Sequence, residues 1–460
     1  MTSGGARLRS FPRPGDRSLS ALFAVTLSLG SALLFAVEPM FAKMVLPTLG
    51  GTPAVWVTCM LFFQAALLAG YGYAHWSVER LGARRQACVH VVVLLLPLLV
   101  LPVAVPRGWG SPVHSPVWWL LAALAVGVGL PFFAVATNAP LLQRWFSGTA
   151  HPLGPDPYFL YRSSNVGSVV ALLAYPALVE PNLPLPLQGR LWSAGYGVLV
   201  VLVVTCAVAL WRSPARHGGG GGAGTAPGQQ TVDGVPDDTG ALATRPLTMR
   251  RRLRWVALAF VPSSLMLAVT TYLTTDIAPV PLLWVVPLAL YLLTFVAAFS
   301  RAPLHWFGLV VVVQPLLLLQ LLFLFLVGVT EPVGLLMALN LVTLFVSGLV
   351  CHGQLARDRP AARHLTEFYL WMAVGGALGG LFNGVVAPVV FDSVVEYPIA
   401  VVAACFLRPP PDQAGADGRR RRLDVDLPLA LGTAAMAALW LARMAGAEQV
   451  TARAVVFGVA

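Results

Sequence analysis

Charged side chains are scarce in this sequence. Asp, Glu, Lys and Arg make up 11% of the 460 residues, whereas 57% of the residues are hydrophobic. The hydrophobic residues fall into runs of about twenty, long enough to cross the ~30 Å hydrocarbon core of a bilayer as helices. The chain has room for about a dozen such runs but not also for a large soluble domain. We therefore predict an all-α, polytopic transmembrane helix bundle.

Cysteine is rare as well. None of the five cysteines has CxxC spacing, and each lies in or beside an apolar segment: Cys59, Cys88, Cys206, Cys351 and Cys405. Thiols in such places behave as small hydrophobic groups, so the pattern excludes a disulfide framework and a cysteine metal site.

Sequence signatures of catalysis and nucleotide binding are missing. No Walker loop occurs, which argues against an ATP-binding subunit, and no Gly-rich strand-to-helix turn indicates a nucleotide or S-adenosylmethionine fold. No acid–base pair or nucleophile–base spacing stands out either, which disfavours an intramembrane enzyme. We expect no catalytic residue, no metal and no cofactor.

Thirteen apolar segments are predicted to cross the membrane. Their approximate bounds are 20–42, 54–76, 88–106, 117–138, 162–180, 191–212, 255–275, 281–300, 304–328, 333–351, 367–388, 394–407 and 427–445. With a cytoplasmic N-terminus, every second loop is cytoplasmic, and those loops hold most of the arginines, as the positive-inside rule requires. The net charge of +11 is thus a topological signal and argues against nucleic-acid binding. We predict a bacterial inner-membrane protein, surrounded by lipid, whose N-terminus and central linker are cytoplasmic.

The segments group into five regions. A basic leader (1–19) precedes a first six-helix half (20–212), and a linker (213–254) separates it from a second six-helix half (255–407). A basic loop with one or two extra spans completes the chain (408–460). The linker is too polar and glycine-rich to fold, so we expect it to be flexible. The first span lacks a cleavage pattern and is expected to remain as an anchor, and the chain's end resembles a span cut short.

The two halves contain short segments of similar sequence at corresponding places. Tyr158-Phe-Leu-Tyr161 opens span five and Phe368-Tyr-Leu-Trp371 opens span eleven, each followed by small residues. Pro53-Ala-Val-Trp56 begins span two, and Pro281-Leu-Leu-Trp284 begins span eight. Two parallel six-helix halves joined by a cytoplasmic linker are typical of major-facilitator-like transporters, so we predict a 6+6 pseudo-repeat.

Span eleven also contains overlapping GxxxG spacings, formed by Gly375, Gly376, Gly379, Gly380 and Gly384. Such spacings let helix backbones approach closely, so they predict tight packing of this span against a neighbour.

Two acidic residues are candidates for a binding site, because ionisable groups at membrane depth are costly and often functional. Glu38 lies near the outer end of span one, beside Pro39 and close to Lys43. It is either a cation or proton site or an interfacial charge that reaches water with help from Lys43. Asp276 has a comparable place at the outer end of span seven. It follows a polar run, 270–275, that lines a cavity or simply bonds back to its own helix.

Aromatic residues near the same span ends are further candidates. Trp56, Trp284 and Tyr272 have ring faces that can stack on a cation. Aromatic side chains at span ends also form the belt at the membrane–water interface, which is the alternative.

Several phrases together resemble a known family. They are LFAVEPMFAKMVLPTLGG (34–51), DPYFLY (156–161) with SNVGS (164–168), FVPSSLM (260–266), PLLW (281–284) with PLALYLLTF (287–295), CHG (351–353) and LTEFYL (365–370). They resemble the membrane portion of bacterial proteins described as fused major-facilitator/spermidine-synthase-like. The resemblance implies a multi-span region that precedes a cytoplasmic aminopropyl-transferring domain. We expect that domain to be absent from this chain, because no residue matches the synthase's cofactor or catalytic motifs, so the resemblance implies a link to polyamine chemistry rather than synthase activity.

Two functions follow as hypotheses. The first is a non-catalytic, transporter-like protein that binds or moves a small solute, with a cationic amine or polyamine favoured. Glu38 and Asp276 would supply negative charge, and Trp56, Trp284 and Tyr272 would surround the solute. The second is a membrane anchor or regulator of a separate, soluble spermidine-synthase-like partner that transports nothing.

Overall fold

A computed structural model describes residues 14–50, 53–105, 116–214, 246–274, 283–300, 306–327, 331–391, 394–409 and 432. Helices account for nearly all of these residues, and none of them forms a strand. Twelve of the thirteen predicted spans correspond to helical segments. The thirteenth, 427–445, lies outside the described residues except for Gly432.

The first half contains six helical segments. Their bounds are α1, Pro14–Leu49; α2 and α3, the two arms of Pro53–Leu95 on either side of Gly82; α4, Pro116–Ser147; α5, Phe159–Ala174 with its extension to Asn182; and α6, Leu185–Arg212. The second half contains six more. They are α7, Met249–Tyr272; α8, Val285–Ala298; α9, Phe307–Val327; α10, Val333–Arg357; α11, Leu365–Leu381 with its extension to Val390; and α12, Glu396–Phe406.

Gly82 makes the turn between α2 and α3. The helix continues through the predicted loop and is interrupted only by this residue, whose φ of 70° and ψ of 160° lie outside the helical region. Glycine adopts a positive φ without steric cost, so a single residue can reverse the chain. The reversal is visible in the Tyr73 and His90 rings, whose centroids lie 6.0 Å apart across the two arms.

The packing of the helices repeats after six. Helix α1 packs along α5, and α7 packs along α11; α1 also contacts α6, as α7 contacts α12. Between the halves, α2 packs on α11 and α8 packs on α5, which are equivalent pairs under the same shift. Both α5 and α11 pass through a π-helical turn, Tyr175–Val179 and Phe382–Val386, before a short terminal helix with proline in its first turn. The predicted 6+6 pseudo-repeat is therefore confirmed.

Small residues allow the closest helix contacts in both halves. A Cβ atom at Gly167 of α5 would overlap the backbone of Ser28 on α1, and one at Gly375 of α11 would overlap the carbonyl oxygen of Val256 on α7. The GxxxG spacing in span eleven thus correctly predicted close packing, and the α7–α11 contact has an α1–α5 counterpart.

Eight helical stretches of the described chain are long and apolar enough to cross a membrane, and one of them contains both α2 and α3. The fifth segment is not among them, because its helix carries Arg162, Ser164, Asn165 and Ser168. Three of these polar residues face the interior between the halves, which explains why a membrane segment can carry them.

Candidate functional site: a cavity between the halves

A cavity of about 210 Å³ lies between the two halves. Its walls come from α1, α2, α4 and α5 of the first half and from α7, α8 and α11 of the second. The polar and charged residues of the wall are Ser31, Glu38, Gln64, Tyr71, Asn138, Tyr161, Ser164, Asn165, Ser168, Ser263, Tyr291 and Tyr369. Both repeats thus contribute polar groups to one largely apolar cavity, as expected where ligands bind at a repeat interface.

Glu38 is the one charged residue among the described residues that line the cavity, and none of them is Lys, Arg or His. It follows Leu27, Ser31 and Leu34 on one face of α1, at helical spacing, so the face of α1 that meets the cavity ends in a carboxylate. The carboxylate forms no hydrogen bond or ion pair with any described residue. Lys43, the neighbour suggested by the sequence, is instead paired with Glu180 at the end of α5.

Tyrosines from four helices surround the cavity. Tyr71, Tyr161, Tyr291 and Tyr369 come from α2, α5, α8 and α11, and the Tyr161 and Tyr369 ring centroids lie 4.9 Å apart. Sequence reasoning missed these residues as site candidates, although the similar segments that open spans five and eleven contain Tyr161 and Tyr369. Their ring faces give the cavity aromatic walls beside the single carboxylate.

Trp56 and Trp284 meet outside the cavity. Their ring centroids lie 5.8 Å apart at an angle of 44°. Each precedes a cavity-lining residue, Met60 on α2 and Leu288 on α8, by one helical turn. The two tryptophans therefore cover the cavity at the end where α2 and α8 begin.

Of the other two predicted site residues, only Tyr272 belongs to the described residues. Tyr272 packs within the second half, with its ring 5.2 Å from that of Phe325 and 5.8 Å from that of Tyr397, and it does not line the cavity. Asp276 lies outside the described residues. Helix α7 packs along α10 and α12, so its C-terminal end, with Tyr272, contacts the hydrophobic core of the second half.

Polar contacts bridge the halves at the opposite end of the cavity, which we call the linker side because α6 ends and α7 begins there. The Tyr158 hydroxyl donates to the carbonyl oxygen of Pro360 at 2.8 Å, and the Arg359 guanidinium lies 3.0 Å from the Asp156 carboxylate. Nearer the cavity, the Tyr369 hydroxyl donates to Gln143 Oε1 at 2.8 Å. These contacts close the linker side in the structure.

Metal binding finds no support in the described part of the chain. No three His, Cys, Asp or Glu side chains there are grouped so that they could hold a metal ion. Three histidines are buried among the described residues. His90 and His352 each bond to a neighbouring threonine within their own half, and His151 Nε2 lies 2.9 Å from the carbonyl oxygen of Asp16.

Comparison with solved structures identifies the architecture. The proton:xylose symporter XylE of E. coli, bound to 6-bromo-6-deoxy-D-glucose, superposes with a TM-score of 0.52 over 85% of this chain and 95% of its own, at 13% identity. The chain has the major-facilitator fold. Human MFSD10, an organic anion transporter, gives 0.48 at 13% identity over 93% of this chain and 100% of its own. The E. coli fucose:proton symporter FucP gives 0.42 at 17% over 85% and 100%.

Sequence comparisons add no closer relative. A scan against protein-family models gives no match, and neither does a search of curated proteins. The structural matches show the fold of the chain. They do not support the predicted synthase-linked resemblance, a soluble synthase partner or a polyamine solute.

Proposed function

We propose that this protein is a transporter that binds a small organic cation at Glu38 and moves it across the membrane. The observation that carries the proposal is a cavity-lining carboxylate that pairs with no described residue, with no basic residue among the described part of the lining. A charge at membrane depth is costly unless it is paired, and a bound cation would pair it. The same carboxylate would repel an anion, so the charge of the wall favours cations over organic acids.

The tyrosines support a cation for a second reason. Cations are attracted to the faces of aromatic rings, by about 0.5–2 kcal/mol depending on how far the site excludes water. Tyr71 belongs to the first half and Tyr291 to the second, so a cation in the cavity would have ring faces available from both halves. The polyamine suggestion rests on the sequence resemblance alone, and a single carboxylate neutralises only one of a polyamine's charges.

Movement would follow from opening the two ends of the cavity in turn. The linker-side contacts of Tyr158 and Arg359 would have to break for release on that side, and the Trp56–Trp284 contact would have to break on the other. The positive-inside distribution makes the linker side cytoplasmic. Asp276, which belongs to the same hypothesis, remains a candidate for a second negative charge.

Uptake into proteoliposomes tests the proposal. The panel contains radiolabelled benzylamine, putrescine, spermidine and, as an anionic control, benzoate. We expect uptake of at least one amine and none of benzoate. Glu38→Gln should lower the apparent affinity about 10- to 100-fold, because a hydrogen bond to a charged group contributes about 1.5–3 kcal/mol.

The matched control is Glu331→Gln, the same change at an exposed acid two residues before α10. It should leave uptake at the parental level. Failure of the parent to take up any amine, or uptake that survives Glu38→Gln unchanged, would remove the proposal and leave a non-transporting membrane protein.

A further inference from the structure

The hydroxyl hydrogens of several cavity residues are already committed to the protein. Ser168 Oγ donates to the carbonyl oxygen of Ser164 at 3.2 Å, and Ser263 Oγ donates to that of Gly376 at 3.0 Å. The Tyr369 hydroxyl donates to Gln143 Oε1. A hydroxyl has one hydrogen, so these groups can offer a ligand only their lone pairs.

The amide of Asn138 is fully used as well. Its Nδ2 donates to the carbonyl oxygens of Ala134 and Val135 at 3.3 and 3.2 Å. Its Oδ1 lies 3.3 Å from Nε2 of His90, which must be the donor because Oδ1 can only accept. Asn138 therefore shapes the wall without offering a hydrogen to the cavity.

Gln64 differs from Asn138. Its side chain lines the cavity from α2, and its Oε1 is buried with no donor among the described residues. The oxygen rests against the backbone of Gly380 on α11, where a Cβ atom would overlap it. A buried acceptor without a donor is unfavourable, and rotation of the side-chain torsions would turn this oxygen toward the cavity.

Two unpartnered acceptors therefore belong to the same cavity, the Glu38 carboxylate on α1 and Gln64 Oε1 on α2. The phenol groups of Tyr71, Tyr161 and Tyr291 can donate or accept and adapt to either kind of ligand. These two acceptors need hydrogen-bond donors from a ligand, in addition to the positive charge that would pair with Glu38.

We propose that the cavity selects cations that carry N–H groups, such as primary ammonium or guanidinium ions, over quaternary ammonium ions, and that Gln64 is a specificity-determining residue. This inference rests on the proposed function. A primary ammonium carries N–H groups that unpartnered acceptors of this kind can bind, whereas a quaternary ammonium satisfies only the charge and leaves both acceptors without a donor.

The test compares two monocations with the same aromatic body, benzylammonium and benzyltrimethylammonium. Binding is measured by titration calorimetry on the full chain in nanodiscs. We expect the parent to bind benzylammonium at least about tenfold more tightly, as a charge-assisted hydrogen bond would give. This ratio is a property of the unaltered protein, so it does not depend on whether a variant folds.

Gln64→Leu keeps the size of the side chain and removes its acceptor. It should weaken benzylammonium binding about tenfold and leave benzyltrimethylammonium binding unchanged. The ratio of the two affinities should therefore fall toward one. The matched control is Gln314→Leu on α9, where Oε1 is also buried without a described donor but does not line the cavity. That variant should keep the parental ratio.

The outcomes separate this inference from the proposed function. Equal binding of the two cations, both lost in Glu38→Gln, would overturn the inference and leave the cation site intact. An unchanged ratio in Gln64→Leu would remove Gln64 as its cause. Failure of both cations to bind the parent would overturn the proposed function together with the inference.

Discussion

The hydrogen bond from Tyr158 to Pro360 offers a clean way to test whether the linker side is a gate. Tyr158 immediately precedes α5 in the first half, Pro360 lies between α10 and α11 in the second half, and the bond is buried at 2.8 Å. Tyr158→Phe removes the hydroxyl and keeps the ring, which packs on Phe368 with 6.1 Å between centroids. The change therefore removes one contact between the halves and little else.

The expected effect follows from the carbonyl that is left behind. In the closed state Pro360 would lose this buried donor, at a cost of about 1–3 kcal/mol, whereas water can satisfy the carbonyl when the linker side opens. The closed-to-open ratio should fall by a factor of about 5 to 150. The distribution of distances between spin labels at Leu153→Cys and Ala361→Cys measures this ratio, in a background in which the exposed Cys88 is replaced by serine.

Tyr196→Phe provides the matched control. Its hydroxyl also donates to a backbone carbonyl at 2.8 Å, that of Leu94, and it is equally buried, but both partners lie within the first half. This variant should lower the unfolding temperature without shifting the label distances. If Tyr158→Phe leaves the distances unchanged, or if Tyr196→Phe shifts them as much, the linker-side contacts are not a gate.

Two further predictions concern stability and are measured by thermal unfolding in detergent. Gly167→Ala should destabilise the protein by about 1–3 kcal/mol, because the added methyl group overlaps the backbone of α1, whereas Gly197→Ala on α6 meets open space and should be neutral or stabilising. Asp358→Asn should cost about 1–3 kcal/mol, because it removes the negative charge that lies 3.0 Å from Arg251, a residue only 9% exposed. Asp156→Asn breaks a pair that is half-exposed and should change stability by less than about 1 kcal/mol. If the two glycine variants changed stability equally, the close packing at Gly167 would be contradicted. If the two aspartate variants changed stability equally, the burial of the Arg251–Asp358 pair would be contradicted.

The membrane architecture could be predicted from the sequence because a bilayer imposes it locally. A span must contain about twenty apolar residues whatever its neighbours are, so the runs themselves mark the helices. The exception is instructive. The turn between spans two and three is helical on both sides of Gly82 and depends on one residue's backbone conformation, which hydrophobicity does not report.

The cavity could be predicted only in part. Glu38 stood out because a carboxylate in an apolar run is unusual. The sequence similarity around Trp56 and Trp284 singled out two residues whose rings meet in the structure. Gln64 and the tyrosines were missed, since only the tertiary contacts decide which face of a helix meets a cavity. Tyr272 is the opposite case, a predicted site residue that does not reach the cavity. It is an aromatic residue at a helix end, next to polar residues, and it packs against Tyr397 within its own half.

The central claim is that a cation binds beside Glu38 between the two halves. A cryo-electron microscopy map of the full chain in nanodiscs with saturating benzylamine tests it most directly. We expect density for the amine inside the cavity, with its nitrogen within hydrogen-bonding distance of the Glu38 carboxylate and its ring among the tyrosines. An empty cavity with the amine bound elsewhere, or the same density retained in Glu38→Gln, would contradict the account.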